Sequence, residues 1–317
     1  MKIVNKLRSF LYKYGNRAIW KFRNAAFLRQ LSRRHIKFIT RKLEIGPVKF
    51  LFTISVRDRG LSRQLFTNNW REYTSTLYLL EDFLGTDEVV IDIGANLGYF
   101  ALIEAAFSKN NLVYALEPVP DAFTLLQFNI ALNRLSNIFG YRLGISDSDG
   151  TKDITVSEFL NWSTFNKDFA RFICSTQTNV RSIPVEVLKL STFYERYMEK
   201  PPTMVRMDVE GYEYEIFNGN RDFFEKYPLK IFLEFHTNLL GKAKSLEILK
   251  LLSNSGYVLE RLISNLEYCL HELVFKPPKG RGYSRKISFQ QYYKEIAGKT
   301  ENQVRSEDGC MIFCKKA

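Results

Sequence analysis

The chain has 317 residues, of which 45% are hydrophobic and 15% aromatic, and its formal net charge is +12. This length allows one large domain or two small ones, and the composition excludes a disordered or fibrous protein. There is no run of 18 apolar residues and no apolar core of a signal peptide, so we expect neither a transmembrane helix nor a secretory signal.

The positive charge is concentrated at the N-terminus. Residues 1–43 contain thirteen Lys or Arg and no Asp or Glu, which leaves residues 44–317 with a net charge of about −1. In residues 1–20 the apolar side chains recur at helical spacing beside a basic stripe, which predicts a basic amphipathic helix. We therefore divide the chain into a basic arm, residues 1–45, and a body, residues 46–317.

An amphipathic helix of this charge can bind an anionic membrane surface, and each cation contributes about 1 kcal/mol to the free energy of binding. On that interpretation the protein is cytoplasmic and peripheral to the membrane. Two alternatives remain open for the same segment. It could be an organelle-targeting presequence, or an arm that binds the phosphates of a nucleic acid.

In the body, apolar strands alternate with helices, which predicts a mostly parallel sheet. The predicted strands are 49–56, 89–93, 112–117, 137–143, 203–209, 229–235, 257–263 and 310–314. The predicted helices are 68–83, 97–107, 121–132, 212–217 and 244–253.

Two inserts interrupt this alternation. The first, residues 151–203, is polar and aromatic, and we expect it to contain short strands and a helix near 190–197. Its Trp162 and Phe165 are candidates to cover a substrate. The second, residues 264–307, includes a basic loop.

The central motif runs from Val89 to Phe100, where a buried strand ends at Asp92 and a glycine turn leads into a helix. Glycine allows a ligand to approach the backbone closely, and the free N–H groups of the helix start face that ligand. The pattern is D-x-G-x-N-x-G, which differs twice from the dinucleotide motif G-x-G-x-x-G. An acidic site without a phosphate cradle suits a cofactor with an amine and a sulfonium, namely S-adenosylmethionine.

Acidic residues lie at or just after the ends of the five predicted strands from 89–93 to 229–235. They are Asp92, Glu117, Asp147, Asp208 with Glu210, and Glu234, which is followed closely by His236. Ligands of open parallel sheets bind beyond the carboxyl ends of the strands, so we expect these side chains at one edge. Glu117 lies nineteen residues after Gly98, a spacing typical of the carboxylate that binds ribose hydroxyls.

Four segments in this order resemble the FkbM-type S-adenosylmethionine-dependent methyltransferases. They are Asp92–Phe100, the Glu117-Pro118-Val119-Pro120 segment with its helix, Val205–Glu213 with Gly219, and Ile231–His236. The resemblance spans residues 68–263. Two positions depart from the family pattern, because Arg206 replaces the usual lysine and Leu190-Ser191 replaces leucine–aspartate.

The resemblance implies an α/β fold of class I (Rossmann-like) methyltransferases. This fold has a seven-stranded, mostly parallel sheet, an antiparallel last strand and helices on both faces. It also implies methyl transfer to a hydroxyl, commonly on a sugar or polyketide-like acceptor. The cofactor-binding candidates are Asp92, Gly94, Ala95, Asn96, Gly98, Glu117, Pro118, Asp147 and Asp208.

An acceptor hydroxyl must lose its proton during attack, which calls for a positioned base. The catalytic candidates are Glu210, Glu234 and His236, with His236 or Glu234 as the base and Glu210 binding the hydroxyl. With three histidines and no C-x-x-C spacing, no metal site is predicted. Two rivals remain, a methyltransferase of nucleic acid or protein and a catalytically silent binding module.

Overall fold

The computed structural model describes residues 37–56, 58, 62, 73–264, 284–307 and 309–317. Its strands are β1 (Phe38–Ile45), β2 (Val48–Ser55), β3 (Val89–Ile93), β4 (Leu112–Leu116), β5 (Ile138–Tyr141), β6 (Gly144–Ile145), β7 (Gly150–Val156), β8 (Arg181–Leu188), β9 (Met204–Met207), β10 (Lys230–Phe235), β11 (Tyr257–Ser264), β12 (Ser284–Arg285) and β13 (Cys310–Lys316). Its helices are α1 (Tyr73–Tyr78), α2 (Tyr99–Phe107), α3 (Pro120–Asn133), α4 (Lys167–Thr176), α5 (Leu190–Tyr197), α6 (Glu213–Gly219), α7 (Arg221–Lys226), α8 (Thr237–Asn254), α9 (Phe289–Ala297) and α10 (Glu301–Arg305).

The central sheet has the strand order β12-β11-β13-β10-β9-β3-β4-β5. The strands β10, β9, β3, β4 and β5 are parallel, and β13 runs antiparallel to both β10 and β11. This arrangement confirms the predicted fold class, including the antiparallel last strand. The two-residue β12 extends the sheet beyond the seven predicted strands.

β3 lies in the interior of this sheet, and all five of its residues are buried. Successive side chains of a strand point to opposite faces, so an apolar strand can enter two cores at once. Val90 belongs to the core that includes α2 and α3, whereas Ile91 and Ile93 belong to the core that includes α6 and α8. The turn after β3 is therefore held from both sides of the sheet.

A hairpin of β1 and β2 packs on the α2–α3 side of the sheet. The predicted strand 49–56 is confirmed, and its partner is the preceding strand, with Leu43 and Ile45 buried in the core. Asn129 of α3 accepts from the Thr53 N–H and donates to the Thr53 carbonyl, at 2.7 and 3.1 Å. A boundary at residue 45 would divide this hairpin, so the body begins before β1. The predicted amphipathic helix lies outside the described residues.

A small second sheet of order β6-β8-β7 joins β6, which precedes the first insert, to the two strands of that insert, and the predicted helix follows at Leu190–Tyr197. The first insert also contains α4, which the sequence did not predict. The second insert contributes β12, α9 and α10, and its residues 265–283 lie outside the described part. Within the described ranges, no helix combines the length and apolar character that crossing a membrane requires.

Candidate active site

The turn after β3 brings backbone, rather than side chains, to the edge of the sheet. Gly94, Asn96 and Gly98 all have positive φ, at 80°, 51° and 90°. A Cβ on Gly94 would lie 1.9 Å from the Asp208 carbonyl oxygen. A Cβ on Gly98 would lie 2.6 Å from Leu126 of α3. At Gly94 both the conformation and the nearby backbone exclude a side chain, whereas at Gly98 the positive φ is the main restriction, because the Leu126 side chain can move.

Two adjoining cavities open at the carboxyl ends of β3, β4, β9 and β10. The large cavity has a volume of about 440 Å³ and the small cavity about 50 Å³. The residues that line both are Gly94, Asn96, Asn161, Asp208 and Glu210. The site therefore lies at the edge that the strand-end acids predicted, and its two compartments share five lining residues.

Glu117 lines the small cavity together with Pro118. Its two carboxylate oxygens accept from the N–H groups of Asn96 and Val119, both at 2.8 Å. Burial raises the pKa of Glu117 to about 7, although these two hydrogen bonds oppose the shift. Each oxygen retains acceptor capacity for a ligand hydroxyl.

Asp92 lies next to the cavities but is shielded from them. Its carboxylate is fully buried and accepts from Arg206 Nη1 at 2.9 Å. Arg206 lines the large cavity, donates also to Asp208 Oδ2 at 3.2 Å, and lies 4.1 Å from the centre of the Phe100 ring. Burial raises the pKa of Asp92, and Arg206 counteracts that shift. Arg206 thus connects Asp92 and Asp208, and it does so through two different nitrogens of its planar guanidinium.

His236 lines the large cavity and is surrounded by three carboxylates. Its Nδ1 is 2.6 Å from Glu213 Oε1, and its Nε2 is 3.5 Å from Glu210 Oε2 and 3.6 Å from Glu234 Oε1. Burial alone would lower the pKa of His236, but the surrounding carboxylates raise it well above its usual value. The three predicted catalytic residues are therefore brought together, with Glu213 as an additional member.

The first insert forms an aromatic wall of the large cavity from Trp162, Phe169 and Phe172. Hydrogen bonds attach this wall to the loop after β9. Thr164 Oγ1 donates to the Glu210 carbonyl and Asn166 Nδ2 to the Gly211 carbonyl, both at 2.8 Å. The sequence indicated Trp162 and Phe165 as covering residues. Trp162 belongs to this wall, Phe165 lines the small cavity instead, and Phe169 and Phe172 lie on the helix that was not predicted.

The remaining predicted site residues are distributed as follows. Gly94, Ala95, Asn96 and Asp208 line the large cavity. Among the described residues, Asp147 lies outside the lining of both cavities. It is paired with Lys152, which lowers the pKa of Asp147.

Sequence reasoning missed Glu213, which is fully buried and bonded to His236. The available signal was its position three residues after Glu210 in Glu210-Gly211-Tyr212-Glu213, a spacing that allows two acids to reach one partner. Arg206 was noted only as a departure from the family pattern, because the sequence did not reveal that it bridges two carboxylates.

Comparisons with known proteins identify the family of the chain. The family model "Methyltransferase FkbM domain" matches residues 92–259. "Methyltransferase 1" of Beauveria bassiana is 24% identical over 148 residues, which cover 43% of this chain and 59% of that protein. "Hexuronic acid methyltransferase AglP" of Haloferax volcanii is 29% identical over 184 residues, which cover 55% of this chain and 71% of that protein.

Among solved structures, the FkbM methyltransferase of Methylobacillus flagellatus is 15% identical with a TM-score of 0.39. The match covers 81% of this chain and 56% of that one. The chain thus spans less than two thirds of some of the relatives it matches. The family model covers more than half of the chain and includes every predicted cofactor and catalytic residue. The chain therefore belongs to the FkbM family of S-adenosylmethionine-dependent methyltransferase domains.

Proposed function

We propose that the protein is an O-methyltransferase that acts on a hydroxyl of a glycan, glycolipid or related small molecule. The observation that carries the proposal is the junction of the two cavities. There the small cavity, with Glu117, meets the large cavity, with Glu210, Glu234 and His236. The similarity to a hexuronic acid methyltransferase supports a sugar acceptor.

The residues at this junction fit S-adenosylmethionine. Asn96 Oδ1 is buried and has no hydrogen-bond partner within the described residues. Unsatisfied buried acceptors are costly, so such oxygens are suited to the cationic part of a ligand. Glu117 is placed to accept from the ribose hydroxyls, and Gly94 leaves the backbone accessible.

When bound, S-adenosylmethionine supplies an electrophilic methyl group, so the main task of the protein is positioning. The acceptor hydroxyl loses its proton to a base as the oxygen–methyl bond forms and the sulfur–methyl bond breaks. Glu210, Glu234 and His236 remain the candidates for that base. Glu210 lines both cavities and thus lies where methyl donor and acceptor meet.

The aromatic wall favours a ring-shaped acceptor. Trp162, Phe169 and Phe172 cover one side of the large cavity, while Asn238 and Arg305 line it from α8 and α10. Aromatic faces suit the apolar face of a sugar ring, and polar groups on other walls can bind its hydroxyls. We further propose that the basic N-terminal arm holds the domain at an anionic membrane surface, where lipid-linked acceptors are found.

Methyl transfer from labelled S-adenosylmethionine to a panel of neutral and uronic-acid oligosaccharides tests the proposal with the full chain. We expect turnover on a glycan, and replacing Glu210, Glu234 and His236 together by neutral residues should reduce it about 10²- to 10⁴-fold, because the base is then removed. The exposed Glu195→Gln is the matched control and should leave turnover unchanged. Turnover only on RNA, with steep salt dependence, would favour the nucleic-acid rival. Failure to bind the cofactor would favour the silent module.

A further inference from the structure

We propose that Asp208, Glu234 and His236 form a binding site for a divalent cation of the Mn²⁺ or Mg²⁺ class in the large cavity. Each residue offers one ligand atom, and the three atoms lie within 4.8 Å of one another. The inference rests on the proposed function, because it assigns the ion to the acceptor side of the same site. No metal site was predicted from the sequence, because that prediction considered only the number of histidines and the spacing of the cysteines.

The first observation is how the imidazole is held. His236 is almost fully buried, and its Nδ1 contacts Glu213 Oε1 at 2.6 Å. This contact directs Nε2 into the large cavity, which His236 lines. A buried carboxylate on one ring nitrogen and a metal on the other is the recurring arrangement of metal-binding histidines. Glu213 would thus be a positioning residue, and it does not line the cavity itself.

The second observation is the spacing around Nε2. The distance of 3.6 Å from Nε2 to Glu234 Oε1 is longer than an ordinary N–H···O hydrogen bond, which measures about 2.9 Å. Two ligands that each lie about 2.1 Å from one ion are roughly 3.0–3.5 Å apart. The atoms are therefore spaced as ligands that share an ion rather than as a tight ion pair.

The third observation is a carboxylate oxygen of Asp208 that has no hydrogen-bond donor among the described residues. Asp208 Oδ1 is buried without a hydrogen-bond partner, while Oδ2 of the same carboxylate accepts from Arg206 at 3.2 Å. Asp208 lies on the wall that the two cavities share. One oxygen is thus fixed by Arg206, and the other is available to a cation in the site.

The charge around the site also favours a cation. Glu210, Glu213 and Glu234 surround the single imidazole of His236, and Arg206 is already shared by Asp92 and Asp208. Carboxylates with one imidazole suit Mn²⁺ and Mg²⁺ better than the thiolate-preferring metals. An ion here would leave coordination positions open to the cavity. An acceptor hydroxyl in one of them would be oriented and made more acidic.

Binding of Mn²⁺ to the chelator-treated full chain tests the inference, with free Mn²⁺ followed by electron paramagnetic resonance. We expect one ion per chain, with affinity lowered at least tenfold in Glu234→Gln and in Asp208→Asn. Glu213→Gln should weaken binding by about 10- to 100-fold, the range for residues that orient a metal ligand. Glu186→Gln, an exposed acid on β8, is the control and should bind Mn²⁺ as the wild type does.

Absence of Mn²⁺ binding by the wild type, or equal binding by wild type and all three site variants, would overturn the inference. Thermal unfolding confirms that each variant is folded, and calorimetry with S-adenosylmethionine is done on the same samples. Cofactor binding and methyl transfer without Mn²⁺ binding would reject the metal site and leave the proposed function intact. Mn²⁺ binding without methyl transfer to any glycan would reject the proposed function instead.

Discussion

At the residue scale, Gly94 has a backbone conformation that favours glycine, and it also lines both cavities of the site. We expect Gly94→Ala to lower both the free energy of unfolding and the affinity for S-adenosylmethionine, because the new Cβ would collide with the Asp208 carbonyl. A displacement of about 1 Å at a catalytic site can cost about 100-fold in rate. Calorimetry for the cofactor and denaturant unfolding measure the two effects.

Gly256→Ala is the matched control for this substitution. Gly256 has φ of 81°, almost the same as Gly94, but a Cβ there would meet nothing within 4 Å. Its substitution should cost only the left-handed backbone penalty of about 1–2 kcal/mol and leave cofactor affinity unchanged. If the two variants lose equal stability and both bind the cofactor normally, the close approach at Gly94 has no role in the site.

Glu117 should make cofactor binding depend on pH. Its pKa is raised to about 7 by burial, and the ribose hydroxyls need the ionised form as their acceptor. The dissociation constant of S-adenosylmethionine should therefore rise as the pH falls below about 7, approaching tenfold per pH unit. Titration calorimetry at several pH values checks this. Glu117→Gln should bind more weakly and without that pH dependence, and a persistent dependence would assign it to another group.

The sequence was informative about these residues to different degrees. A strand end and a glycine turn are local features, so the positions of Gly94, Glu117 and Glu234 could be predicted. Whether an acid faces the cavity depends on partners distant in the chain. Asp92 is paired with Arg206, 114 residues later, and no local pattern indicates that pairing. Glu213 lies three residues after Glu210, but it was missed because its partner His236 is 23 residues away in the chain.

At the scale of elements, Asn166 both caps the start of α4 and joins it to the loop after β9. Asn166 accepts from the N–H groups of Asp168 and Phe169 at the helix start and donates to the Gly211 carbonyl. Asn166→Ala should destabilise the protein by about 1 kcal/mol through the lost cap. It should also raise the KM for the acceptor, because Phe169 and Phe172 shift, while cofactor affinity stays the same.

Ser288→Ala provides the comparison for that prediction. Ser288 caps α9 in a complete capping box, and it is not part of either cavity lining. We expect a similar loss of stability with no change in the KM for the acceptor. Steady-state kinetics on both variants decides the matter, and an equal change of KM in the two would mean that the aromatic wall does not contact the acceptor.

Elements with strong periodicity could be predicted closely, whereas those defined by tertiary contacts could not. The helix predicted at 121–132 is α3, and the strand predicted at 112–117 is β4. β1 was assigned to the basic arm because residues 1–43 contain thirteen Lys or Arg and no acid, although Leu43 and Ile45 of this strand pack in the core. α8 begins seven residues before the predicted helix because a break at Gly241 obscured its periodicity.

At the scale of the molecule, the basic arm can be tested separately from the domain. We expect a variant lacking residues 1–36 to lose binding to vesicles rich in anionic lipid, since each removed cation near the surface contributes about 1 kcal/mol. Vesicle co-sedimentation at low and high salt measures this. The deletion must stop before Phe38, because removing β1 would expose the core side of β2. Unchanged binding would refute the proposed membrane role of the arm.

The position of β13 has a consequence for how the chain folds during synthesis. β10 and β11 do not pair with each other, because β13 lies between them and is antiparallel to both. Until β13 has left the ribosome, β10 is an open edge with unpaired backbone groups, and such edges recruit strands of other chains. During the same period, β11 has no strand paired with it on the side that faces the centre of the sheet. We therefore expect the nascent chain to pass through an aggregation-prone stage that chaperones shorten, and that ends when β13 fills the gap.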